Sequence, residues 1–172
     1  MKRILSLLCI MSILTACQKA SPALPSLTKD EITGARLWQR ITAEEDYHAY
    51  PEWPGFEGLQ IGQSPHGRYH EIYINNALRD ALPIASRLAP DGSILVKVNY
   101  DEEKRNVGYT VMAKAAGYDP AHNDWFWVAY TPEGQVKMEG KPDYCISCHE
   151  GKKPNDYIIV RSLDEPLTES GQ

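Results

Sequence analysis

Near the end of the chain, Cys145-Ile146-Ser147-Cys148-His149 sets two thiols three residues apart with an imidazole directly after the second. That spacing is the attachment sequence of a c-type haem. Both thiols add to the porphyrin vinyl groups, and the adjacent histidine reaches the iron beneath, so both bonds and the axial ligand come from one short segment. Three other chemistries compete for the same residues: a disulfide, a redox-active thiol pair, and half of a zinc site. Zinc needs a second pair of ligands, which the sequence does not supply at a matching spacing. A thioredoxin-like pair opens a helix after an early strand, whereas here only 23 residues follow His149.

In small electron-transfer cytochromes the motif lies near the N-terminus and a downstream methionine completes the iron's coordination. Here no methionine or histidine follows His149. A sixth ligand would have to come from His48, His66, His70, His122, Met112 or Met138. If none of them ligates, the iron is five-coordinate and binds small ligands instead of only passing electrons.

The remaining cysteines divide by position. Lys2 and Arg3 precede an apolar stretch, Ile4 to Ala16, too short to span a bilayer, so residues 1–16 read as a signal peptide. It ends in Leu14-Thr15-Ala16-Cys17, the form of a lipobox, in which Cys17 accepts a diacylglycerol. Cys9 leaves with the signal. Gln18 follows the anchor where an inner-membrane lipoprotein would carry aspartate, so the expected place is the periplasmic face of the outer membrane. Cleavage would leave 156 residues and move the formal charge from −5 to −7. A chain of that length is one domain, and its acidic balance excludes a nucleic-acid partner, which demands a basic face.

These groups need a scaffold. Residues 17–27 contain a proline-stiffened run expected to act as a tether without contributing to a core, and residues 28–172 form the domain. Thr28 to Glu31 reads as a helix start, with Leu37, Trp38 and Ile41 on one face of an amphipathic helix reaching about Tyr47. Tyr50 to Gly58, broken by prolines and glycines, is an irregular loop. His70 to Ile74 alternates like a strand, and Asn76 to Leu88 is read as helical with a break at Pro83. Ser93 to Tyr100 puts Ile94, Val96, Val98 and Tyr100 on one face and Leu95, Lys97 and Asn99 on the other, as a half-buried strand does. Val107 to Lys114, Asp124 to Tyr130 and Gln135 to Met138 continue the pattern, with a turn at Pro132-Glu133-Gly134. Short connections between successive strands predict an α+β domain that is mainly an antiparallel sheet with flanking helices.

Several of these segments together resemble a known family. The strand Ser93 to Lys97 after Pro90-Asp91-Gly92, the segments Gly117-Tyr118-Asp119-Pro120 and Asn123 to Trp127, Tyr130, Pro132-Glu133-Gly134, the motif 145–149 and Asn155 to Ile159 are similar in order and spacing to the cytochrome P460 family, which includes the cytochromes c′-beta. The resemblance covers roughly residues 30–161. It implies an antiparallel-sheet fold, often a homodimer, enclosing one haem c with His149 as the proximal ligand. Some members of the family oxidise hydroxylamine, carry a bond between a lysine and the porphyrin, and use an acidic distal residue to remove protons. Others line the distal face with apolar groups and bind nitric oxide or carbon monoxide.

Lys97, on the strand face opposite Ile94, Val96 and Val98, is the crosslink candidate, with Lys114 holding a weaker claim. Glu133 and Glu139 flank the strand before the haem motif, and a carboxylate there would serve as a base if burial raised its pKa. Arg68, near His66 and His70, is the candidate to pair with a haem propionate. Trp125, Phe126 and Trp127 alternate faces, so part of this aromatic cluster should meet the haem. The function expected is that of a membrane-tethered, periplasm-facing monohaem cytochrome acting on small nitrogen species such as hydroxylamine and nitric oxide, with a redox partner protein if it turns over. A gas-binding module and a plain electron carrier are the alternatives.

Overall fold

A computed structural model describes residues 24–62 and 65–167; the expected signal peptide and the lipid-bearing Cys17 lie outside them. Six antiparallel strands run in sequence order across one sheet: β1 (Gln60–Ile61), β2 (Tyr69–Ile74), β3 (Ile94–Tyr100), β4 (Asn106–Lys114), β5 (Trp125–Tyr130) and β6 (Val136–Gly140). The central ladders join β3 to β4 from Ile94↔Ala113 to Tyr100↔Asn106 and β4 to β5 from Tyr109↔Tyr130 to Lys114↔Trp125. Gly108 lies at φ +135°, and a Cβ there would sit 2.3 Å from the Tyr130 carbonyl oxygen, so only glycine lets the two strands approach at that point.

Period-two alternation assigns each strand residue to one of two cores. On one face Ile94, Val96, Val98, Val111, Ala113, Phe126, Val128 and Tyr130 pack against Leu37, Ile41 and Tyr47 of the N-terminal segment. On the other, Ile72, Ile74, Leu95, Met112, Trp125 and Trp127 pack against Ile146, Tyr157, Ile158 and Leu163 from the C-terminal segment. The expected sheet with flanking helices is therefore present. β3 departs from the half-buried strand expected of it: Leu95 and Asn99 are 7% and 6% exposed, so both of its faces are covered.

The helices are shorter than periodicity suggests. Thr28 and Glu31 form a turn, with the Thr28 hydroxyl donating to the Glu31 carboxylate at 2.8 Å. The helix proper, α1 (Gly34–Gln39), starts six residues later, where the Thr33 hydroxyl caps it by accepting from Arg36 N at 3.1 Å. It widens into a π-helical turn over Arg40–Glu44, and the buried Arg40 guanidinium lies 3.1 Å from Glu44 and 3.0 Å from Glu45. Only α2 (Asn76–Arg79) is α-helical within 76–88. Its cap, Asn75, also accepts from Ile94 N at 3.0 Å, tying this short turn to the sheet. Leu27, assigned to the tether, is instead 8% exposed and belongs to the first core.

Candidate haem site

The chemistry-bearing motif forms its own helix, α3 (Asp143–His149). Pro142 precedes it and its carbonyl accepts from Cys145 N at 3.0 Å and Ile146 N at 3.1 Å; Asp143 in the first turn suits the positive end of the helix dipole. Helical spacing puts Cys145, Cys148 and His149 on one face. Ile146, flanking that face and 8% exposed, anchors the helix in the second core. Both thiols are free; Cys145 is half-buried and Cys148 exposed. Burial, with Cys148 beside it, pushes the Cys145 thiol pKa up.

His149 is held from behind. Its Nδ1 lies 2.7 Å from the Tyr157 carbonyl oxygen. A carbonyl only accepts, so Nδ1 carries the hydrogen and Nε2 keeps the lone pair that a metal requires. The Trp127 ring meets the imidazole edge-on, with centroids 4.9 Å apart. Burial pulls the His149 pKa down and the Lys97 charge adds to this, while the bond to Tyr157 opposes them.

Next to this face lies a cavity of about 550 Å³. The sheet supplies His70, Ile72, Leu95, Lys97, Thr110, Met112 and Trp127; the loops supply Phe56, His66, Ile158 and Val160; Cys145, Cys148 and His149 complete the wall. Burial pushes the Lys97 pKa down to about 8. His66 and His70 fall to about 4 through burial first and the Lys97 charge second, so both imidazoles are neutral at pH 7. The His66 ring centre lies 6.4 Å from that of His149.

A haem fits these residues. The volume is in the range of small-molecule pockets, roughly 300–1,000 Å³. Two free thiols and a lone-pair-bearing imidazole line one wall. Two buried polar atoms of residues lining the cavity, His70 Nδ1 and Trp127 Nε1, have no partner among the described residues, as expected where a further group completes the packing. A second cavity, of about 330 Å³, lies among Leu27, Arg40, Glu45, Tyr50 and Ile94 and contains no residue of the motif.

Of the residues singled out from sequence, the structure brings Cys145, Cys148, His149, Lys97, His66, His70 and Met112 to one cavity. It moves both carboxylates away from it. Glu133 is exposed in the β5–β6 turn. Glu139 pairs with Val128, on the first-core face of the sheet, and accepts from Gly34 N at 2.6 Å, so its carboxylate serves the start of α1. Alternation along β6 decides this, because Met138 takes the cavity-side position and its sulfur lies 4.0 Å from Cys145 Sγ. Arg68 is exposed, its guanidinium 5.8 Å from the Tyr69 ring centre, and it is absent from the cavity wall. His48 and His122 are engaged elsewhere, by Asp46 and Asp119, each at 2.8 Å. Lys114 is paired with Asp156 at 2.6 Å. Sequence reasoning missed the Tyr157 carbonyl, because a main-chain acceptor leaves no mark in residue type.

A family model described as Cytochrome P460 matches residues 46–160, a stretch containing every residue of the cavity wall. No curated protein matches the chain.

Proposed function

The chain belongs to the cytochrome P460 family, a family of haem-binding cytochromes, and from that premise we propose that it carries one covalent haem c and acts in the redox chemistry of hydroxylamine or nitric oxide. The observation that carries this reading is the pairing of His149, fixed through Nδ1 at 2.7 Å, with a 550 Å³ cavity into which a desolvated lysine projects.

Haem bound there supplies a redox-active iron able to take a small nitrogen ligand. Cys145 and Cys148 would hold it through thioether bonds, and His149 Nε2 would donate to the iron. Lys97 is the amine of the cavity wall; its pKa, about 8, suits proton transfer with a bound ligand, and it is the side chain that a lysine crosslink would engage. The neutral His66 and His70 offer hydrogen bonds without adding charge. Ile72, Leu95 and Met112 give that wall an apolar lining, which limits water. The same apolar lining supports a second reading, reversible binding of nitric oxide or carbon monoxide without turnover. In either case the sequence of residues 1–17 supports a lipid-anchored, periplasm-facing protein.

The test is the mass and optical spectrum of the mature protein made with haem-maturation machinery, in oxidised, reduced and carbon monoxide-treated forms. A mass gain of one haem with a red-shifted, broadened reduced Soret band signals a lysine crosslink and hydroxylamine-type oxidation. An ordinary haem c spectrum that responds to carbon monoxide selects gas binding. A spectrum that ignores carbon monoxide selects electron transfer, and the absence of covalent haem overturns the proposal.

A further inference from the structure

The Tyr157 carbonyl that orients His149 belongs to a reversal that isolated backbone preference disfavours. Asp156 and Tyr157 are consecutive residues at φ +54° and +63°, a left-handed pair without glycine. The Asp156 side chain is wholly buried, and three separate segments converge on it. Lys114 Nζ, at the end of β4, donates to Oδ2 at 2.6 Å; Ala89 N, ahead of β3, donates to Oδ2 at 2.8 Å; Asn123 Nδ2, between β4 and β5, donates to Oδ1 at 2.8 Å. Lys114 is itself 11% exposed and lies over the Trp125 ring, 5.3 Å from its centre. Asn155, the preceding residue, pins the exit of the turn by donating to the carbonyls of Ile158 and Arg161, each at 2.7 Å.

The geometry points to Asp156 as the positioning residue for the axial histidine: its pairing with Lys114 fixes the Tyr157 carbonyl against His149 Nδ1 and so sets how strongly His149 donates to the iron. This rests on the haem reading above. A hydrogen bond to the far nitrogen of a ligating imidazole fixes its tautomer and raises its basicity, and such outer partners tune a metal nearly as much as the ligands do. A buried carboxylate is an effective fixture here because its lysine neutralises it and two further donors occupy its lone pairs. Loss of any of the three lets the left-handed pair relax and the carbonyl drift from Nδ1.

Three haem-loaded variants test it, with the wild type as reference. Asn123→Gly removes one donor while tolerating the φ of +56° at that position. Asp156→Asn removes the charge and leaves Lys114 unpaired. Lys114→Met with Asp156→Asn removes both charges together, so that no buried charge is stranded. The readouts are the iron–histidine stretching band of the reduced protein, which follows the strength of the Nδ1 hydrogen bond, and the reduction potential, compared between Asn123→Gly and the double variant because both leave the net charge unchanged. The expected result is a band at lower frequency in every variant that loads haem and a more positive potential in those two, smallest in Asn123→Gly. Haem-loaded variants with band and potential unchanged would overturn the positioning role while leaving the haem reading intact. A wild-type chain that gains no haem mass would overturn both.

Discussion

Lys97 stands directly opposite Ile72 in the pairing of β2 with β3, and on its other side faces Thr110 of β4. Its side chain therefore leaves the sheet between an aliphatic residue and a hydroxyl-bearing one to line the cavity, and burial pushes its pKa to about 8. The unfolded chain holds the same proton with an ordinary lysine pKa of about 10.4. The folded state is thus penalised in full below about pH 8, and the penalty fades as the pH rises towards 10. With the Lys97 side chain not bonded to a porphyrin, Lys97→Met is expected to be more stable than the wild type by roughly 1–3 kcal/mol at pH 7, the gap closing near pH 10. Urea unfolding of both proteins at the two pH values checks this, and a gap that does not depend on pH refutes the assignment.

Glu139 gives the opposite expectation. Its carboxylate accepts from Gly34 N, and a Cβ at Gly34 would lie 2.3 Å from its oxygen, so it fits the start of α1 closely and on the far side of the sheet from the cavity. Glu139→Ala should lower stability by about 1 kcal/mol, as loss of a helix cap does. The haem spectrum and any turnover of hydroxylamine should be unchanged. Thermal unfolding and the optical spectrum of one preparation decide it; a falling turnover with an intact melt would restore Glu139 to the site.

The contrast shows where the sequence was legible. Alternation along β3 put Lys97 on the face away from Val96 and Val98 without knowledge of what lay there, and strict period two made that assignment safe. The grouping of Cys145, Cys148 and His149 on one cavity wall was equally legible, because it follows from local helical spacing. Glu139 was not, since its role depends on contact with Gly34, 105 residues away. The helices were over-read: the apolar spacing through Ile41 continues past the point where Arg40, Glu44 and Glu45 widen the turn to make buried ion pairs. Leu27 was mistaken for tether because a few apolar residues interrupted by prolines show no readable periodicity, yet it reaches the first core.

His66 was one of six possible iron ligands and is now placed in the cavity wall, neutral at pH 7, its ring 6.4 Å from that of His149. If it hydrogen-bonds a ligand held on the iron, His66→Leu removes about 1 kcal/mol of stabilisation. That corresponds to roughly five-fold faster dissociation. Stopped-flow displacement of nitric oxide or carbon monoxide from the reduced protein measures this. A wild type that refuses carbon monoxide, paired with a His66→Leu variant that accepts it, would show instead that His66 occupies the sixth position.

The last prediction concerns the fold itself. On the second face of the sheet, Leu95, Met112 and Trp127 turn towards a cavity of about 550 Å³, and α3 is fastened there chiefly by Ile146. Empty space in a core forfeits contacts on every lining residue, and a site lined also by Lys97, His66 and His70 fills with water that the apolar wall cannot bond. The first core, packed by Leu37, Ile41, Val96 and Phe126, does not depend on this cavity. The Cys145→Ala, Cys148→Ala chain is therefore expected to carry no covalent haem, to unfold without a single sharp transition, and to be cut by protease around α3 before the strands are. Mass spectrometry, thermal unfolding and the map of early cleavage sites report the three effects. A double variant that melts as sharply as the haem-loaded protein, with α3 protected, would show that this half of the core closes without the haem.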